Sequence, residues 1–185
     1  MNAAIEGRAR NFWWWELWRP LVGPLWLRDF SLDNYAEING VLHYKVWEDT
    51  FENLVVTVGK NYLLETSFRG GTAVTTWYVG LKDTGTVAAA DTMGSHAGWA
   101  ELTGYSNSVR PTLTLAAAAS GSTDNSAAKA SFTINATASI YGGFVTSNNT
   151  VGGTTGTLYG AGDFTVSPRS VVSGDTLNVQ VTLTV

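Results

Sequence analysis

Asp91, Ser95, His96 and Glu101 are residue types from which an acyl-transfer triad is built, and they crowd into one stretch of a chain otherwise poor in such groups. That chemistry needs a base within hydrogen-bond reach of its nucleophile and a carboxylate orienting the base from behind. Ser95 and His96 are sequence neighbours, whose side chains diverge, and no Gly-x-Ser-x-Gly elbow surrounds the serine. The stretch reads better as a fixed loop. In that reading Gly94 and Gly98 supply unusual backbone angles, His96 bonds to backbone, and Trp99 plugs the core.

Metal chemistry meets a similar obstacle. His43 falls in an expected strand with no second histidine or carboxylate pair at ligand spacing, which argues against zinc. Asp124-Asn125, Asn148-Asn149 and Asp163 offer oxygen ligands suited to calcium, but they match no EF-hand or nonapeptide repeat and read as turn residues. A glycosidase needs two carboxyls roughly 5 to 9.5 Å apart across a cleft. From residue 70 onward the carboxyls are Asp83, Asp91, Glu101, Asp124, Asp163 and Asp175, most of them beside glycine or in turn-like contexts. The sequence therefore reads as a non-enzyme without metal or cofactor, with a polysaccharide depolymerase as the enzymatic alternative.

The N-terminus asks for a partner instead. Phe12, Trp13, Trp14, Trp15, Trp18 and Trp26 concentrate aromatic surface in a short span. Burying one such side chain is worth on the order of 2 to 3 kcal/mol, so a cluster of them must be covered by something. We take these six as candidate anchors that insert into another subunit, where tryptophan is a favoured hot-spot residue. Two other covers are open: the chain's own strands, or a membrane interface, the latter suggested by Arg8, Arg10 and Arg19 nearby.

The elements that must carry these groups divide at Gly70-Gly71. Residues 1–69 hold seven of the eleven basic residues, nine of the fifteen acidic ones and six of the eight tryptophans. Beyond them the chain is written in Thr, Ser, Ala, Gly and Asn, with short β-branched and aromatic runs between turn signals. The expected organisation is a Trp-rich anchor segment over 1–33, a small β-meander plus short helix over 34–69, and a β-sandwich domain over 70–185. The fold class is mainly β, an antiparallel sandwich of jelly-roll type.

Asn39-Gly40 predicts a hairpin between strands 35–38 and 41–47, with a third meander strand over 51–58. A helix is expected over 60–68, with Leu63, Leu64 and Phe68 on one side and Gly70 as its stop. Later strands are expected at 75–81, 99–102, 112–115, 130–134, 139–146, 158–164 and 177–185. In the last, Leu177, Val179, Val181, Leu183 and Val185 alternate with polar residues and mark one buried face.

Bulk properties exclude several classes. A formal charge of −4 and a pI near 5.0 disfavour a nucleic-acid partner, which would need clustered Lys and Arg. Zero cysteines exclude disulfides and thiolate metal sites. No apolar run approaches the ~20 residues of a membrane span, and no signal-peptide core is read at the N-terminus.

The stretches WYVGLKDTGTVAAADTMGSHAGW at 77–99 and SVVSGDTLNVQVT at 170–182, with NLVVTVGKNYLLETSFRG at 53–70, resemble a group of small virion proteins of tailed bacteriophages often labelled tail fibre proteins. The resemblance covers roughly residues 45–185. It implies a structural particle component, located in the virion, that binds other virion proteins such as capsid, connector or tail and assembles as a homo-oligomer, a trimer by preference. A head-associated decoration or fibre role suits a chain with no heptad or repeat from which to build a long shaft. A tail fibre or receptor-binding module that contacts host-surface glycan is the alternative.

Overall fold

The structure, a computed structural model, describes residues 26–38, 41–51, 53–164 and 168–184. The chain is mainly β, built from antiparallel sheets in a sandwich-like arrangement. It opens with β1 (Trp26–Ile38), β2 (Val41–Phe51), β3 (Asn53–Val55) and helix α1 (Thr57–Phe68). β4 (Tyr78–Gly85) and β5 (Trp99–Leu102) follow, then β6 (Ser122–Asp124), β7 (Ala130–Thr133) and β8 (Ala138–Ile140). The chain ends with β9 (Gly142–Thr146), β10 (Leu158–Asp163), β11 (Arg169–Val171) and β12 (Thr176–Thr184).

Alternation in β12 organises the first sheet, whose order is β2-β1-β12-β6, with β7 also paired to β12. Leu177, Val179 and Val181 are buried, and across the ladder they face Asn34, Leu32 and Phe30 of β1, which are buried as well. Apart from Asn34, whose Nδ2 donates to Asp175, these inward residues on paired strands form one apolar layer. The second sheet runs β3-β10-β9-β4-β5 and lays Val79, Leu81 and Val145 against that layer in a single core.

The strands of the second sheet do not alternate. Val79, Gly80, Leu81 and Lys82 are all buried, as is every residue of β9, because the sheet is covered on its far face too. Val56, Met93, Trp99, Phe144, Leu158 and Ala161 form that second apolar layer. A run buried on both faces loses the period-2 signature, as it does in covered sheets generally.

Several expectations change here. The boundary at Gly70 does not separate two cores: β1 pairs with β12 from Trp26↔Thr184 to Tyr35↔Thr176, and the main apolar cluster draws on both sides of residue 70. The expected meander ends after two strands, because Asn53–Val55 crosses to pair with β10 in the other sheet. Residues 26–33, assigned to the anchor segment, are sheet strand. The strand expected at 112–115 is reduced to a single bridge, Tyr78↔Thr112, and the one at 139–146 breaks at Tyr141 into β8 and β9. β6 and β11 have no counterpart in the expectation.

The helix forms as expected and starts three residues earlier, at Thr57. It approaches β10 so closely at Gly59 that a Cβ there would overlap the Tyr159 carbonyl. Its expected apolar side is only partly used. Leu63 packs on the core, whereas Leu64 and Phe68 remain exposed.

Candidate functional site

The catalytic-looking residues fall in the segment that leaves β4, covers the far face of the second sheet and returns as β5. Met93, Ser95, His96, Trp99, Glu101 and Phe144 line a cleft of about 480 Å³ there. What each polar group does in the cleft is set by its hydrogen bonds. His96 stacks on Trp99 with ring centroids 4.1 Å apart and places Nδ1 3.0 Å from the Trp99 carbonyl oxygen. Asp91 serves other donors: its Oδ2 accepts from Trp99 Nε1 at 2.9 Å and from the Ala88 amide at 2.8 Å. Ser95 is held through its backbone, which exchanges hydrogen bonds with Thr92.

Glu101 belongs to a different arrangement. Its carboxylate receives Arg110 Nε at 2.8 Å, Arg110 Nη2 at 2.7 Å and the Gly152 amide at 2.7 Å. Arg110 is fully buried and spends its other donors on the carbonyls of Asn148 at 2.8 Å and Gly153 at 3.0 Å, with its guanidinium 5.2 Å from the Phe144 ring. Such bidentate, charge-assisted pairing fixes both side chains and the loop between them. Burial, together with the nearby Glu101 carboxylate, pushes the Tyr105 hydroxyl far above its ordinary range, so it stays a neutral donor to Glu101. The structure thus brings Ser95, His96 and Glu101 to one cleft but engages Asp91, His96 and Glu101 in separate scaffolding roles. The tight left-handed backbone next to this loop is at Gly85, φ 95°, and not at Gly94 or Gly98 as expected.

No family model, curated protein or solved structure matches the chain.

The calcium candidates have local duties. Asp124 Oδ1 accepts the Ser126 amide at 2.7 Å, and the Ser126 hydrogen bonds hold its carboxyl below the usual range. Asn148 Oδ1 accepts the Thr150 amide at 2.7 Å, and Asp163 pairs with Lys82 at 2.6 Å. Among the described residues no group of three His, Cys, Asp or Glu side chains could hold a metal ion. The remaining carboxyls of the glycosidase test are also committed: Asp83 to the Thr84 amide, and Asp175 to Asn34 Nδ2 and the Val172 amide. Phe12, Trp13, Trp14, Trp15 and Trp18 lie outside the described residues. Trp26 and His43 are placed by their backbones only, in β1 and β2.

Sequence reasoning missed the ionic framework. Each of the four basic residues after Gly70 makes an ion pair: Lys82 with Asp163, Arg110 with Glu101, Lys129 with Asp33 and Arg169 with Asp49. The last two tie late segments to β1 and β2. Asp33 also meets Lys45 at 3.2 Å. Burial raises the Asp33 carboxyl, but hydrogen bonds and charge from Lys129 and Lys45 outweigh it and hold the group below its ordinary value.

A pH dependence follows. A carboxyl whose folded pKa is depressed contributes stability above its unfolded value, about 4, and loses it as pH falls through the folded value. Asp33→Asn is expected to cost about 1 to 3 kcal/mol at neutral pH. The gap to the parent should close once Asp33 protonates in the parent too, at a pH below 4. Denaturant melts of both proteins across that range check this, and a gap that persists in acid would remove the ion pair as its cause.

Proposed function

We propose that this chain is a non-enzymatic structural component of a tailed phage virion, a head-associated decoration or fibre protein that docks through its N-terminus and assembles as a homotrimer. The observation that carries the reading is the fate of its polar chemistry. Asp91, His96, Glu101, Asp124, Asp163 and Asp175 are each consumed by internal hydrogen bonds or ion pairs, which suits a chain built to hold shape. The resemblance of residues 45–185 to small phage virion proteins suggests the setting, and the Trp-rich segment supplies the contact chemistry. The alternative glycan-binding role gains little from the cleft, because Trp99 is only 6% exposed and His96 occupies its face.

The test is a truncation. It has to begin at Trp26, since a cut at Gly70 would remove β1 and β2 from the first sheet. Full-length protein and the form lacking residues 1–25 are weighed by light scattering and mixed with particles lacking this protein. The expected result is that the short form stays folded and fails to bind. Equal binding by both would defeat docking through the N-terminus.

A further inference from the structure

Two apolar stripes in this fold extend farther than its core uses them. On β12 the inward series continues past Val181 to Leu183, which is only half-buried, and on α1 it continues past Leu63 to Leu64 and Phe68. Both run into one groove of about 560 Å³, lined by Leu63, Leu64, Phe68, Tyr159 and Leu183, with Lys60 at its rim. Leu64 is 56% and Phe68 82% exposed. Apolar residues that converge on an open concavity of this size form a site for an apolar occupant.

The beginning of the described chain indicates which occupant. Trp26, the first residue of β1, pairs with Thr184 of β12. Thr184 also lines the groove, and it pairs on its other side with Ser122, another lining residue. The 25 residues before Trp26 are therefore joined to the fold at the rim of this groove. They include Phe12, Trp13, Trp14, Trp15, Leu17 and Trp18, the densest apolar cluster in the sequence. The eight steps from Trp18 to Trp26 span up to roughly 26 Å of extended chain, ample to turn back into a groove that starts at the attachment point. A tether this short presents the segment at an effective concentration on the order of millimolar, well above that of any second copy in dilute solution.

We propose that the groove between α1 and the end of β12 seats residues 12–18 of the same chain. Lys60, which lines the groove, would offer its ammonium to an indole seated there as a cation–π partner. This goes beyond the attachment reading and does not depend on it: it states what covers the tryptophans in the free protein, whatever they meet later.

The absence of native cysteine makes the test clean. Leu64→Cys is combined in separate full-length variants with Trp14→Cys, Trp15→Cys or Trp18→Cys, and each is oxidised in dilute solution with copper phenanthroline. The expected product is an internal disulfide at monomer mass in at least one variant. Crosslinking that gives only covalent dimers would assign the groove to a second copy, and no crosslink in any variant would leave it without this segment; either result overturns the proposal. As a second measurement, Leu64→Asp/Phe68→Asp changes only exposed side chains. It is expected to raise trypsin cleavage at Arg10, beside the seated segment, about tenfold while circular dichroism is unchanged, because an undocked segment is open to proteolysis. An unchanged cleavage rate would equally overturn the proposal. Neither measurement involves particles, so failure here and failure of the attachment reading are distinguishable.

Discussion

Arg110→Met is expected to lower the unfolding free energy by about 3 to 5 kcal/mol, the cost of breaking a buried ion pair from one side. The arginine is fully buried and bidentate to Glu101, whose side chain is itself only 7% exposed. Methionine fills much of the same space, so the loss is chiefly electrostatic. It leaves a carboxylate in the interior without its counter-ion, and the Asn148 and Gly153 carbonyls without their donor. The control that isolates this cause is Arg110→Met with Glu101→Leu. With both charges gone the double variant should recover most of the lost stability, as paired apolar replacements of buried ion pairs often do. Guanidinium melts followed by circular dichroism give both numbers. A single variant within 1 kcal/mol of the parent would show that the 148–153 loop is held by something other than this arginine.

That framework also marks where the sequence was legible and where it was not. β12 was readable because one of its faces is buried and the other is not, so Leu177, Val179 and Val181 announce themselves by period. Composition locates β9 and β10, but GGFVT and LYGAGD carry no alternation from which their two-sided burial could be read. The strand pattern of β1 is legible only from Tyr35 onward. Its first half, with Phe30 and Leu32 at the centre of the core, follows Pro20 and Pro24 and looked like a connector.

The third meander strand failed for a topological reason. Nothing local in Asn53–Val55 distinguishes pairing with β2 from pairing with β10, a hundred residues away. Of the candidate site, the sequence led correctly to a fixed loop around His96 and Trp99. It did not show that Glu101 serves Arg110, because their pairing depends on how β5 and the 148–153 loop meet in space. One signal was available. In a segment with almost no charge, all four cations are held in ion pairs; Lys82 and Arg110 are fully buried, and Lys129 and Arg169 are partly so.

Lys82 reaches its partner over a strand, and the residue beneath the bridge is a glycine. Lys82 on β4 and Asp163 on β10 are both in register with Gly142 of β9, which lies between them. With no side chain at that point, Lys82 Nζ crosses to Asp163 Oδ1 at 2.6 Å, donates to the Gly85 carbonyl and rests 5.9 Å from the Trp99 ring. A Cβ at Gly142 would overlap the backbone carbonyl of Gly162, and a backbone atom cannot swing aside as the end of a side chain can. Relief requires β9 and β10 to separate, which strains the pairing of Gly142 with Asp163 at the end of that ladder. Gly142→Ala is therefore expected to destabilise by about 3 kcal/mol, at the upper end of what overpacking costs. The ordinary gain from replacing glycine by alanine, at most about 1 kcal/mol through the unfolded chain, is too small to offset it. The damage should also be local in kind. If the overlap opens the β9–β10 ladder, hydrogen exchange should accelerate at amides of Gly142 to Phe144 before those of β12, whose partners lie in the other sheet. Uniform acceleration through both sheets would instead mean that the variant simply unfolds more often, and that Gly142 is no special clasp between β4 and β10.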